Sequence, residues 1–255
     1  MKLTHKLCGA ALVAALGVAV AIPTTTHAKE GGPFQVDMDI TFEQDTDADT
    51  GSVTTPTDRP SPPPTNIPTT DPGEFGIKTV TPLTFGTEKI QNTGTPGQYW
   101  AKNWKGKSAD GKDAESPNFL EIKDARIQKN HKYQLQAKIT EQFSQVVDGT
   151  KENLTGASLT FTNGYIPYTS SEASVALDAN NIVPGAVVTD TAAGTIVDNT
   201  DENKGLGYTQ IQFGKYKTAD AQDSEKSIKL TVPATTTVYQ GKYSGKITWN
   251  LVAAP

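Results

Sequence analysis

Period-two alternation of apolar and polar residues, with no helical periodicity beyond residue 28, is the feature that most narrows what this chain can fold into. Tyr243, Gly245, Ile247, Trp249 and Leu251 fall on one side of a stretch whose other side carries Lys242, Ser244, Lys246, Thr248 and Asn250. The same rhythm runs through Tyr133, Leu135, Ala137 and Ile139, through Ile228, Leu230 and Val232, and more briefly through Leu120 and Ile122. Successive side chains of a strand point to opposite faces, so each stretch reads as a strand with one face on a core and one in water. Turn formers separate them: Asp148-Gly149, Asn163-Gly164, Pro184-Gly185 and the run NKGLG from Asn203 to Gly207. Many short strands divided in this way predict an all-β chain, an antiparallel β-sandwich-like single domain.

The N-terminal region reads differently. Lys2 and Lys6 precede an uncharged apolar run from Leu7 to Ile22, and a polar stretch then ends Thr26-His27-Ala28. This is the layout of a secretory signal peptide over residues 1–28, cleaved after Ala28. Cys8 lies ahead of the apolar run, the wrong place for a lipid-bearing cysteine at a cleavage site. It is the only cysteine, so the exported chain has neither disulfide nor thiolate ligand, and stability must come from burial. No other stretch is long and apolar enough for a membrane span. Removing Lys2 and Lys6 from the 23 basic residues, and none of the 28 acidic ones, leaves a formal charge of −7. That balance argues against nucleic acid as a partner.

Residues 29–44 hold a candidate strand, with Val36, Met38, Ile40 and Phe42 alternating against Asp37, Asp39 and Thr41. Residues 45–74 are rich in Pro, Thr and Asp and almost free of large apolar side chains, the composition of a disordered linker. The Asp45, Asp47, Asp49 spacing resembles a calcium loop only superficially, because Gly51 falls one place late and Pro56 stands where a bidentate acid should close the loop. Residues 75–255 carry the main domain.

Catalytic signals are absent from the sequence. His131 is the one histidine after the signal, in a predicted turn before a strand, and no Gly-x-Ser-x-Gly elbow or phosphate-binding glycine loop accompanies it. Carboxylates are plentiful, but nothing selects two of them as a pair for glycoside hydrolysis. The expectation is a protein that is not an enzyme and needs no cofactor or metal. The aromatic residues Tyr99, Trp100 and Trp104, in the lysine-bearing stretch GQYWAKNWKGK, are candidates for an exposed face that recognises saccharide or peptide. The alternative is that these rings cover the edge of a sheet.

The ending YSGKITWNLVAAP is similar to the closing signature of WxL-domain surface proteins of low-GC Gram-positive bacteria, with Tyr243, Ile247-Thr248-Trp249, Leu251 and Pro255 in place. The stretch EFGIKTVTPLTFGTEKI resembles the family's opening strand and its Phe-Gly-Thr turn, here Phe85-Gly86-Thr87. FLEIKDAR resembles its Asp-x-Arg segment at Asp124 and Arg126, while LTGASLTFTN and SIKLTVP resemble later strands. One position departs: where the family has a first Trp-x-Leu, this chain has Tyr133-Gln134-Leu135.

The resemblance implies non-covalent attachment to the cell wall through peptidoglycan or another wall polymer. It also implies assembly with WxL-interacting proteins and sortase-anchored surface proteins. Two other roles stay open, a complex subunit held at the wall only indirectly and an adhesin for extracellular polymers. Alternation places Trp249, Leu251 and Tyr243 on one face, so the motif residues, with Tyr133 and Leu135, are either core or wall-binding.

Overall fold

The computed structural model describes residues 32–43, 68–91, 94–107, 110–127, 129–166, 176–216 and 223–255. The expected signal peptide with Cys8, the Asp45, Asp47, Asp49 triplet and most of the expected linker lie outside the described residues.

The central sheet has six strands. Its middle is β8 (Tyr133–Val147) and β16 (Gly241–Ala253), paired antiparallel, with β13 (Gly194–Asn199) and β9 (Thr150–Asn153) on the far side of β8. On the other side of β16 come β1 (Phe34–Glu43) and then β3 (Leu83–Lys89). A second sheet orders β12 (Ala186–Val188), β10 (Ser158–Phe161), β15 (Ile228–Val232) and β4 (Gly97–Trp100). A third orders β11 (Gly164–Tyr165), β14 (Gly207–Phe213), β7 (Phe119–Asp124) and β2 (Phe75–Val80). A hairpin of β5 (Trp104–Lys107) and β6 (Asp113–Ser116) completes the described strands. The all-β architecture is as the alternation predicts, and β1 with β3 is the parallel pair.

Local chemistry explains the turns. Asp148 and Gly149 both have positive φ, at 49° and 80°, the geometry of a two-residue hairpin loop whose twist matches its strands, and they join β8 to β9. Gly86 corrects the expectation of a Phe-Gly-Thr turn. It sits inside β3 at φ 72°, where β3 spends three steps, Thr84 to Thr87, against two on β1, Asp39 to Thr41. The extra residue makes a bulge, and glycine tolerates the left-handed conformation it needs.

The strand at 34–43, drawn from sequence as a segment before the domain, runs through the centre of it. Phe34 lies opposite Trp249 and Ile40 opposite Tyr243, and Phe34, Val36, Met38 and Ile40 are all buried. The end of the expected linker also joins the body: Thr69 bridges to Thr79, and the Thr70 amide donates to the Lys78 carbonyl at 2.8 Å. Burial of the apolar row drives the placement of β1, since leaving four such side chains in water would forgo about 1.5–3 kcal/mol each.

The three sheets meet around aromatic rings. Phe161 of the second sheet packs edge-on against Trp249 of the central sheet at 5.4 Å and against Phe213 of the third at 5.1 Å. Phe75 of the third sheet meets Tyr133 of the central one at 5.8 Å. With no disulfide available, these inter-sheet contacts are what hold the layers.

Candidate functional site

The large apolar residues of the terminal motif face the core, while Thr248 and Pro255 do not. Trp249 is 1% exposed, Tyr243 is fully buried, and Leu251 is 6% exposed, while Tyr133 and Leu135 on the neighbouring strand are fully buried. The register pairs Leu251 with Leu135 and Ala253 with Tyr133, so the two aromatic-x-Leu elements lie side by side on β16 and β8. The Tyr243 hydroxyl accepts a hydrogen bond from the Tyr239 amide at 3.0 Å. Of the two roles open to these five residues, the structure gives them the core. At Tyr133, burial, reinforced by nearby Asp124, pushes the phenol's pKa up.

The Asp-x-Arg segment is structural as well. Arg126 holds Asp124 through two parallel bonds, Nε to Oδ1 at 2.9 Å and Nη2 to Oδ2 at 2.7 Å, and its guanidinium stacks 4.0 Å from the centre of the Phe75 ring. His131 donates from Nδ1 to Asp124 at 3.1 Å. Its carbonyl accepts from Asn199 at 2.8 Å, which ties the ends of β7, β8 and β13 together. His131 is therefore a buried latch, satisfied by a carboxylate, and not a loop histidine facing substrate.

The aromatic stretch 99–104 splits into three environments. Tyr99 is a correction: it is 2% exposed, with its hydroxyl accepting from the Gln91 amide at 3.3 Å, and is not part of an exposed face. Alternation accounts for this, because Gly97, Tyr99 and Ala101 share the inward side of β4 while Gln98 and Trp100 share the other. Trp100 is half-buried on that edge strand, with the Lys229 ammonium 5.8 Å from its ring. Trp104 is half-buried at the start of β5 and lines a groove.

That groove is an open recess wide enough for a polymer to enter. It is open, has a volume of about 630 Å³, and gathers Asp37 and Asp39 from β1, Lys242 and Lys246 from β16, Glu141 from β8, and Trp104. The outward halves of three adjacent strands supply the charges, and a bulge in the β8–β16 pairing around Gly245 shapes the floor. At Gly245 a Cβ would meet the Glu141 carbonyl oxygen at 2.8 Å, so the close approach of these strands requires glycine. Lys246 pairs with Glu141 at 2.6 Å and Lys242 with Asp39 at 3.3 Å. The hydrogen bond that Lys246 donates to the Glu141 carboxylate raises the lysine's pKa, keeping it charged. Beyond the groove the same sheet face continues as a strip of amides and hydroxyls, in which Gln35, Thr140 and Thr248 bond to one another at 2.9 to 3.3 Å. Chemically, the groove offers an indole wall for a sugar ring and paired charges of both signs for a peptide. Sequence reasoning named Trp104 but missed its partners, which come from three other strands, β1, β8 and β16.

A family model described as WxL domain surface cell wall-binding matches residues 29–255. The chain belongs to the WxL family, and it is a cell-surface protein that attaches to the cell wall through this domain. No curated protein and no solved structure matches the chain. The match takes in β1, in keeping with its place in the central sheet. Among the described residues, no helix is long and apolar enough to cross a membrane.

Proposed function

We propose that the domain holds the chain at the wall non-covalently by binding peptidoglycan in the groove between Trp104 and the charged ends of β1 and β16. The observation that carries this reading is the position of Trp104. It is a half-buried aromatic beside a recess that also presents carboxylates and ammonium groups, whereas the signature tryptophan is sealed in the core. Peptidoglycan is a glycan bearing peptides with carboxylates and amines, so it can place a sugar face on the indole and pair its peptide with Asp37, Asp39, Lys242 and Lys246. The groove is open to solvent, and the role we read for it is binding. Assembly with WxL-interacting and sortase-anchored proteins is the finer part of the proposal. It is supported by the edge of the central sheet at β3, where no further strand pairs among the described residues and an added strand could extend the sheet.

Co-sedimentation of the purified protein with protein-free peptidoglycan tests the reading. Wild type should sediment, and Trp104→Ala with Lys246→Ala should weaken retention while circular dichroism stays unchanged. A folded wild type that stays in the supernatant would sink it and favour a subunit retained through partners; equal sedimentation of both variants would move the contact elsewhere.

A further inference from the structure

β1 completes the central sheet from a distance. It fills the slot between β16 and β3, antiparallel to β16 from Phe34↔Trp249 to Phe42↔Gly241 and parallel to β3 from Met38↔Leu83 to Glu43↔Lys89. Its inward side chains, Phe34, Val36, Met38 and Ile40, are between 0% and 8% exposed. Without β1 the slot would be an apolar trough between two unpaired strand edges, a strong demand for one occupant. The occupant's specificity comes from register, because only a strand with apolar residues at alternate places fills the trough.

The connection makes a second source of that strand available. Residues 44 to 67 separate β1 from the next described residue and carry the Pro-, Thr- and Asp-rich sequence. A chain of that length spans at most about 80 Å, with a typical end-to-end distance of about 27 Å if flexible. The first figure exceeds the size of a small domain, so β1 of one copy has the reach to enter the slot of a neighbour.

We propose that β1 is an exchangeable strand, and that copies crowded on a wall surface link by placing the β1 of one in the β16–β3 slot of the next. The swapped and unswapped sheets contain the same contacts, so the choice depends on concentration alone. A tethered strand competes at an effective concentration on the order of 1 mM, so closure within one chain dominates in dilute solution and exchange rises as copies are packed together. Because each copy both gives and receives a strand, exchange can close into pairs or extend into rows. This goes beyond wall binding and does not depend on the groove reading.

Single cysteines report exchange directly. In a Cys8→Ser background, one protein carries Gln35→Cys and another Thr248→Cys, positions that face each other across β1 and β16 with their side chains 3.3 Å apart. A chain with one cysteine cannot link internally, so a 35–248 disulfide between the two proteins in excess of random pairing reports strand exchange. The control pairs Gln35→Cys with Lys242→Cys, whose register partner is Thr41. After joint refolding at rising concentration and oxidation, the 35–248 heterodimer should exceed the 35–242 heterodimer at least tenfold, and its share should grow with concentration. The double variant Gln35→Cys/Thr248→Cys should close within one chain in dilute solution, which checks the register itself. Equal yields of the two heterodimers, or no 35–248 product after refolding near millimolar concentration, would overturn exchange. Failure of the double variant to close would overturn the slot.

Discussion

Trp249 and Trp104 are the same side chain put to opposite uses. Trp249 lies where three sheets meet, opposite Phe34 and Ala137 and edge-on to Phe161, with no water left around it. Trp104 stands at the start of a two-stranded hairpin and keeps part of its ring open to a charged groove. The tryptophan of the family signature is buried, and the half-exposed one lies outside the signature. A signature can therefore mark a fold requirement, while the surface proposed to bind the wall is written in residues the signature omits.

The comparison breaks most readily at Trp249. Trp249→Ala should destabilise the domain by about 3–5 kcal/mol, the cost of emptying a large buried aromatic site. That is a large share of a typical stability of about 5–15 kcal/mol. Urea unfolding would measure it. Loss of wall binding in this variant should track loss of structure, so that conditions restoring the fold restore binding. A folded Trp249→Ala protein of normal stability that fails to bind would make Trp249 a contact residue and collapse the distinction.

The buried ion pair comes next. Asp124→Asn leaves the Arg126 guanidinium, 6% exposed, without its carboxylate, and also strips His131 of its acceptor. Removing one member of such a pair costs about 3 kcal/mol or somewhat more. None of the latch residues lines the groove beside Trp104, so wall binding by the folded fraction should be unchanged. Denaturation curves beside co-sedimentation would show this; reduced binding at full folding would extend the functional surface to this end of the sheet.

How much of this was readable beforehand depends on the range of the interactions. Alternation in β7, β8, β15 and β16 and the Asp148-Gly149 hairpin are local, and residues a few places apart specify them. The place of β1 is not local: Phe34 finds Trp249 across most of the chain, and nothing in FQVDMDITFE names its partner. The same holds for the groove, which exists only once β1, β8 and β16 are neighbours. Tyr99 was misread for a different reason. Its polar surroundings in sequence imply exposure, but a strand's two faces see different neighbours, and the period-two rule applied to Gly97, Tyr99 and Ala101 would have turned it inward.

A smaller effect sharpens the contrast between core and surface through pH. The Tyr133 phenol has a folded pKa raised above its ordinary value of 10.0, chiefly by burial. Below pH 10 the phenol is neutral in both states and its full contribution is present. Above it the unfolded chain ionises while the folded chain resists, so stability falls as pH rises from about 10. Tyr133→Phe should flatten that fall while changing neutral-pH stability little, as followed by thermal unfolding at pH 8 and pH 11. An unchanged slope in the Phe variant would mean that other groups control alkaline unfolding.

The smallest effect on stability should belong to Trp104, and it is the most informative about function. Trp104→Ala removes a partly exposed ring whose indole nitrogen is buried without a hydrogen-bond partner, so the loss of packing is offset in part by the loss of an unsatisfied donor. Its unfolding midpoint should move far less than that of Trp249→Ala. Its wall affinity should fall about tenfold, equivalent to about 1.4 kcal/mol, as expected when one stacking platform is deleted and the charged rim remains. Trp104→Phe keeps an aromatic face and should recover most of that affinity, which a purely structural role for the indole would not predict. If alanine and phenylalanine bind alike, the ring is not the platform, and the charges of β1 and β16 carry the contact alone.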